Sequence, residues 1–155
     1  MARGPRPQES GRGPRHRQLC VVDTNVVVSG LIAGDSNTPP ARILDSMIGG
    51  RILYLMSPAL LSEYSAVLRR SAIAERHGLM SEQLDRFLTD LVANAMWREP
   101  PTAGDAPDTG DNHLWALLAS EPSAHLVTGD GLLLRTPPSG ASVVSPSHFV
   151  AVFLS

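Results

Sequence analysis

The sequence contains no lysine, and all 13 of its basic residues are arginine. This absence excludes a phosphate-binding loop of the Walker type, because that loop needs a lysine to contact the nucleotide phosphates. It also excludes enzymes that form a Schiff base on a lysine. Response-regulator domains and most phosphatases with an aspartate nucleophile use a lysine as well, so both classes are disfavoured.

Cysteine and long apolar runs are also scarce. The single cysteine, Cys20, excludes an internal disulfide bond and a cysteine-based zinc cluster, and we expect it to be buried in its apolar stretch. No apolar run approaches the length of a membrane span, and the N-terminus lacks the apolar centre of a signal peptide. We therefore expect a soluble, cytoplasmic protein with no membrane partner.

Charge divides the 155 residues into two unequal parts. Residues 1–19 carry five arginines and one glutamate, whereas the remainder carries eight arginines and fourteen acids. Because residues 1–18 are rich in Gly, Pro and Arg, we predict a disordered extension there and one globular domain over residues 19–155. The extension either contacts RNA phosphates or is an unstructured or misassigned start. The acidic body binds nucleic acid poorly unless metal ions neutralise its carboxylates.

Short apolar strands alternate with helical patterns along the domain. We predict strands over residues 19–22, 51–56, 95–98, 125–128 and 143–144, with the first strand resuming at 26–28 after a break. We predict helices over residues 40–48, 57–70, 71–77, 81–94 and 111–120 and from 146 onward, with loops at 34–40 and 99–110. This alternation predicts the α/β class, as a three-layer α/β/α sandwich with a mainly parallel central sheet.

Two aspartates follow predicted strands directly. Asp23 comes after the strand over residues 19–22, and Asp130 comes two residues after the strand over 125–128. In open α/β sheets the functional crevice lies beyond the carboxyl ends of the strands, so both side chains are candidates for one site. Each aspartate alone is also typical of a turn after a strand. Two strands that end in the same way favour a shared site.

The helix predicted to begin at Asp111 places this acid in the middle of its apolar face. A buried charge must meet a cation or hydrogen-bond donors, so this position favours a site role. Glu63 lies at the border of the apolar stripe of its helix, where a solvated glutamate is common, and its pattern alone favours solvent. His113 is predicted to point away from the apolar face into solvent, and Trp115 is predicted to lie in the core.

Several carboxylates around one crevice repel one another, and divalent cations are the usual remedy. Ligand sets made of oxygen alone favour Mg²⁺ or Mn²⁺ over zinc. The histidines at positions 77, 125 and 148 show no zinc-ligand spacing. Such cations can hold a phosphodiester and lower the pKa of water without a lysine or a cysteine nucleophile.

Four segments of the chain resemble the PIN-domain family: VVDTNVVVSGL at residues 21–31, SPALLSEY at 57–64, GDNHL at 110–114 and LVTGD at 126–130. They occur in the family's order, and the resemblance covers about residues 19–150. Among the branches of the family, the chain is most similar to bacterial PIN proteins described as toxin components and related to VapC-type toxins. The segments are specific together, although none is specific alone.

The resemblance implies a PIN-like ribonuclease, which is a hydrolase that cleaves RNA phosphodiester bonds with Mg²⁺ or Mn²⁺. Carried over by position, its acidic site consists of four residues, all retained here: Asp23, Glu63, Asp111 and Asp130. Polar neighbours also match family positions, namely Thr24, Asn25, Asn112 and Thr128. A toxin role would add a cognate antitoxin protein as partner, and exposed apolar helix faces would permit a homodimer.

Two other functions stay open on the sequence. An aspartate-dependent phosphohydrolase would use Asp23 as its nucleophile. The missing lysine counts against it, as does Asn25, which stands where such enzymes commonly have a second aspartate. A non-catalytic RNA- or protein-binding module would keep the acidic crevice without turnover. Cleavage of RNA that requires a divalent metal and is lost in D23N would separate the nuclease from the binding module.

Overall fold

Five short strands form a single sheet in which every pairing is parallel. The computed structural model describes residues 17–101 and 106–154, so the extension predicted over residues 1–18 lies almost entirely outside the described residues. The strands are β1 (Leu19–Val22), β2 (Leu53–Met56), β3 (Met96–Trp97), β4 (His125–Val127) and β5 (Ser142–Val144). Their order across the sheet is β3-β2-β1-β4-β5, so β1 lies at the centre.

Helices cover this sheet. The described part of the chain contains α1 (Thr24–Ile32), α2 (Pro39–Ile48), α3 (Pro58–Leu68), α4 (Ser71–His77), α5 (Ser81–Asn94), α6 (Asn112–Ser120), α7 (Gly131–Arg135) and α8 (Pro146–Phe153). A 3₁₀ turn at Thr109–Asp111 precedes α6. Helix α6 packs on β1 and β4, and α5 packs on β2. The predicted three-layer α/β/α sandwich is confirmed, and its sheet is parallel throughout.

The prediction that the first strand resumes at Val26 is wrong. Val26, Val27 and Val28 lie in α1 and are buried there. Asp23 ends the strand because its carboxylate accepts a hydrogen bond from the Thr24 amide and caps the helix. Burial of the valines on a helix face therefore overrides the preference of β-branched residues for strands. Helix α7 is a second element that the sequence pattern does not predict.

The core combines strand side chains with the inner faces of the helices. Cys20 and Trp115 are both buried, as predicted. The Tyr64 hydroxyl donates a hydrogen bond to the Val22 carbonyl, which ties α3 to the end of β1. None of the helices in the described ranges is long and apolar enough to cross a membrane.

Gly30 allows α1 and α2 to pack closely. A Cβ atom at this position would lie 2.7 Å from the Pro40 carbonyl oxygen, a separation that only a backbone shift could relieve. The glycine therefore lets α2 support the helix whose first turn carries Thr24 and Asn25.

Candidate active site

Three aspartates lie directly before helices, and two of them end neighbouring strands. Asp23 follows β1 and caps α1, Asp130 follows β4 and caps α7, and Asp111 precedes α6. The Asp23 amide donates to the Val127 carbonyl at 2.9 Å, which continues the β1–β4 pairing to the carboxyl edge of the sheet. The fold therefore brings Asp23 and Asp130 to one edge. The positive end of a helix dipole favours a carboxylate at each of these positions.

Asp23 is the most enclosed of the four candidate acids. Only 5% of the surface of Asp23 is exposed to solvent. Its Oδ1 accepts from the Thr24 amide at 2.8 Å, and its Oδ2 accepts from the Thr128 hydroxyl at 2.7 Å and from the Asn25 side-chain amide at 3.1 Å. Burial raises the pKa of Asp23 above its ordinary value, the bonds from Thr128 and Thr24 lower it, and nearby carboxylates raise it again. The result is a carboxylate with a fixed orientation and little solvent around it.

Thr128 joins the ends of β1 and β4 through one hydroxyl group. The residue is fully buried, and its Oγ1 also accepts from the Asp130 amide at 3.0 Å. Asn25 adds a second connection between the start of α1 and the residues after β4, because its Oδ1 accepts a hydrogen bond from the Gly129 amide at 2.9 Å. A Cβ at Gly129 would lie 3.3 Å from that oxygen, so glycine keeps the contact unstrained. These bonds set the position of Asp23 relative to Asp130.

Asp111 carries a carboxyl group that the helix itself does not use. It is the N-cap residue of α6, yet its side chain makes no capping hydrogen bond. Its pKa is raised from 3.8 to about 6, first by burial and then by the negative charges of Asp23, Asp108, Glu63 and Asp130. Asp23, Glu63 and Asp130 come from distant parts of the chain, so the fold places them within electrostatic reach of Asp111. A cation would relieve this repulsion.

Glu63 is paired with a histidine. The Nε2 atom of His113 lies 3.0 Å from the Oε1 atom of Glu63, and their side chains are 19% and 36% exposed. The prediction that His113 points into solvent is wrong. Helix α6 has no single exposed face, because five consecutive residues, Leu114 to Leu118, are buried, and α3 packs against this helix and brings Glu63 to His113. His113 also lines a cavity of about 360 Å³ beside the start of α3.

Asn112 and Asp108 shape the loop before α6. The Oδ1 atom of Asn112 accepts from the Ala106 amide at 3.0 Å, and Oδ1 of Asp108 accepts from the Gly110 amide at 2.9 Å. The Asn112 side chain therefore holds the loop backbone, and among the described residues it forms no hydrogen bond with the four acids. The sequence pattern assigns Asp108 to an ordinary polar loop, but its charge raises the pKa of Asp111. Its spacing of three residues from Asp111 is the one signal that pointed to it.

The donor chemistry of this edge fits a hard divalent cation. The four acids supply oxygen ligands alone, and the buried Thr24 hydroxyl oxygen has no hydrogen-bond partner among the residues that the structure describes. Within residues 17–101 and 106–154, arginine forms its ion pairs elsewhere, between Arg69 and Asp85 and between Arg98 and Glu121. No group of three His, Cys, Asp or Glu side chains in those ranges is placed so that it could hold a metal ion by itself. Mg²⁺ commonly keeps several waters and takes one or two carboxylates, so the residues fit such an ion.

Comparison with known proteins adds a family to this geometry. The sequence model described as PIN domain matches residues 20–131. The chain belongs to the PIN domain family. PIN domains are typically nucleases and usually bind divalent metals. No curated protein matches the sequence significantly.

The PIN domain fold of this chain also resembles a solved structure. The crystal structure of PAE2754 from Pyrobaculum aerophilum superposes with a TM-score of 0.56, over 93% of this chain and 94% of that chain. The two sequences are 16% identical, so the likeness concerns the fold alone.

Proposed function

We propose that this PIN domain is an endoribonuclease that hydrolyses RNA phosphodiester bonds with the help of Mg²⁺ or Mn²⁺. The accumulation of carboxylates without an arginine counter-ion at one edge of the sheet carries the proposal. The pKa of Asp111 is raised to about 6 by burial and by four other acids. The arginine ion pairs of the described residues involve none of these acids. Metal-assisted hydrolysis is a chemistry that needs such carboxylates and no lysine.

Each acid has a part in the proposed chemistry. Asp23, Glu63, Asp111 and Asp130 would hold one or two cations, directly or through water. When bound, the cation supplies positive charge beside the scissile phosphate and lowers the pKa of water there. One of the carboxylates takes the proton of the attacking water, which approaches phosphorus in line with the leaving oxygen. Thr128 and Asn25 keep the Asp23 carboxylate in one orientation throughout.

The test is cleavage of end-labelled single-stranded RNA by the full chain in Mg²⁺, in Mn²⁺ and in EDTA. We expect internal cleavage in either metal and none in EDTA. The variant D23N should lose at least about 100-fold of the rate, because an amide removes the negative charge at the centre of the site. The matched control is D90N, which makes the same change on the exposed face of α5 and should cleave like the wild type.

Two outcomes would contradict this assignment. Equal cleavage by D23N and the wild type would show that the activity comes from another site or from a contaminant. Cleavage that persists in EDTA would remove the role of the cation.

A second candidate function is a non-catalytic RNA- or protein-binding module. The observation that favours it is the absence, within the described ranges, of three acidic or histidine side chains grouped closely enough to hold a metal ion. This candidate predicts that Mn²⁺ binds no more tightly to the wild type than to D23N in isothermal titration calorimetry. The nuclease proposal predicts a loss of Mn²⁺ affinity in D23N and no loss in D90N.

The resemblance to bacterial toxin components supports a cellular role as well. We propose that the chain is the toxin of a type II toxin–antitoxin pair, that a cognate antitoxin protein neutralises it, and that it acts as a homodimer. Induced expression of the wild type should arrest bacterial growth, and expression of D23N should not. Growth arrest by both proteins to the same extent would contradict a toxin role that depends on the acidic site.

A further inference from the structure

A cavity of about 900 Å³ lies at the amino edge of the sheet, where β1 and β2 begin. Its wall is formed by residues just before these two strands, by the loop before α2, by α2 itself and by the end of α8. Three arginines line it, Arg17, Arg42 and Arg51, and we call it the arginine cavity. Asp45 is the one acidic side chain among the described residues that line it.

Two of the three guanidinium groups are held in place by backbone carbonyls. Arg17 donates from Nη1 to the Gly50 carbonyl at 3.2 Å, and Arg42 donates from Nη2 to the Leu154 carbonyl at 3.0 Å. A guanidinium has five N–H donors, so most of the donors of each group stay available to a ligand. The arginine ion pairs of the described residues involve neither these side chains nor Arg51. Three like charges around one cavity favour an anionic ligand.

The remaining wall combines neutral polar groups with apolar ones. Ser36, Asn37 and Ser46 add hydroxyl and amide groups, whereas Ile52 and Phe153 add apolar surface. A volume of about 900 Å³ lies within the usual range for ligand pockets and exceeds what a lone inorganic anion needs. Guanidinium groups bind phosphate in a bidentate manner, and an apolar wall suits a ribose or a base.

We propose that the arginine cavity binds nucleotide phosphate, carried either by an RNA chain or by a free nucleotide. For the RNA source, the proposal rests on the proposed function. The part of the chain after residue 19 has six more acids than arginines, so it repels RNA as a whole. An RNA substrate then needs positive charge away from the carboxylates, and the arginine cavity supplies three such charges on one surface.

The test measures binding in EDTA, where no cleavage is expected and binding does not depend on turnover. The probe is a fluorescein-labelled RNA of ten nucleotides, titrated with the full chain by fluorescence anisotropy at several salt concentrations. The variant R42Q/R51Q should bind about ten-fold more weakly. Its slope of log affinity against log salt should fall by about 1.4, because two phosphate contacts to a single strand are lost.

The matched control is R76Q/R86Q, which removes two exposed arginines from α4 and α5. It has the same net charge as R42Q/R51Q and should lose less than two-fold in affinity. Because Arg42 contacts the Leu154 carbonyl, the single variant R51E serves as a second test that leaves this contact intact. It should weaken binding at least as much as R42Q/R51Q, with an unchanged melting temperature.

Competition distinguishes the two sources of phosphate. If AMP displaces the labelled RNA from R76Q/R86Q but not from R42Q/R51Q, the cavity accepts a free nucleotide. If unlabelled RNA displaces it and AMP does not, the cavity requires an RNA chain. Equal losses in the two double variants, or tighter binding of a polyglutamate peptide than of RNA, would overturn the proposal. RNA binding that depends on the cavity, in a protein that cleaves no RNA, would contradict the proposed nuclease and leave this proposal standing.

Discussion

The two edges of the sheet carry opposite charges and hold them in different ways. At the carboxyl edge, Asp23 is buried and accepts three hydrogen bonds, and its orientation is set by Thr128, which directly follows β4, and by the first turn of α1. At the amino edge, Arg17 and Arg51 are exposed, and the contact of Arg17 is a single bond to a backbone carbonyl. The charged forms of Asp23 and Asp111 are therefore raised in free energy, which a cation can lower, whereas Arg17 and Arg51 remain largely solvated.

Because of this difference, we expect substitutions at the carboxyl edge to change the rate of RNA cleavage. We expect substitutions at the amino edge to change only the affinity for RNA. A buried carboxylate without a counter-ion strongly affects both stability and metal binding, because water no longer screens its charge. An exposed arginine has a screened charge and contributes little to stability.

The largest effect is expected for D111N at the acidic edge. RNA cleavage in Mg²⁺ should fall by at least about 100-fold, since the variant removes a negatively charged oxygen that the proposed cation would bind. The matching change at the other edge, R51Q, should leave the rate at saturating RNA within two-fold and raise the RNA concentration needed for half of that rate. Single-turnover cleavage over a range of RNA concentrations measures both quantities. If R51Q lowers the rate at saturating RNA as much as D111N does, the two edges do not have separate roles in cleavage and RNA binding.

A smaller but clear loss of stability is expected for T128V. The substitution removes the hydroxyl that donates to Asp23 and accepts from the Asp130 amide. Because a buried carboxylate loses a donor, the free energy of unfolding should fall by about 1.5 to 3 kcal/mol. Urea denaturation measures this change, with T89V as the control on an exposed helix face, where the change should stay within about 0.5 kcal/mol. A loss of stability in T128V no larger than that in T89V would show that the hydrogen bonds of the Thr128 hydroxyl do not stabilise the fold.

The raised pKa of Asp111 predicts a pH-dependent stability in EDTA. Its folded-state pKa is about 6 against an ordinary value of 3.8, so the folded protein binds this proton more tightly than the unfolded chain does. The stabilisation from the protonated form is complete below about pH 4 and is lost as the pH rises through about 6. At pH 7, D111N should therefore be more stable than the wild type by about 1 to 2 kcal/mol, a figure reduced for partial exposure.

Urea denaturation of the wild type and D111N at pH 4, 5, 6 and 7 isolates this contribution, because the other acids titrate in both proteins. Addition of Mg²⁺ at pH 7 should stabilise the wild type and remove most of the difference. A difference between the two proteins that stays constant with pH would mean that Asp111 has an ordinary environment.

The smallest effect is expected at the arginine edge. R51Q should change the free energy of unfolding by less than about 0.5 kcal/mol, because the guanidinium is exposed and forms no ion pair with a residue that the structure describes. A nucleotide at ten times its dissociation constant should stabilise the wild type by about 1.4 kcal/mol and R51Q by less. Thermal unfolding with and without AMP measures both. Equal stabilisation of the two proteins by AMP would place the nucleotide outside the arginine cavity.

Much of this architecture could be predicted because each local pattern agrees with the fold. A short apolar run followed by an aspartate predicts a buried strand that ends at a functional edge, and β1 with Asp23 and β4 with Asp130 both follow that pattern. Helices that begin with Ser-Pro were also recognisable, since Ser57 and Ser145 cap α3 and α8. The run at Val26–Val28 could not be assigned correctly, because three valines suit a strand and a buried helix face equally well.

The fold class, the ends of the central strands and the chemical nature of the four acids can all be predicted from the amino-acid sequence alone. Those properties depend on neighbours in the chain, whose spacing is visible in the letters. Only the tertiary structure decided that His113 faces Glu63, that Asp108 adds charge at Asp111, and that Arg17, Arg42 and Arg51 share one cavity. Each of these relations joins residues through packing, and packing depends on helix phase and on side chains that are distant in sequence.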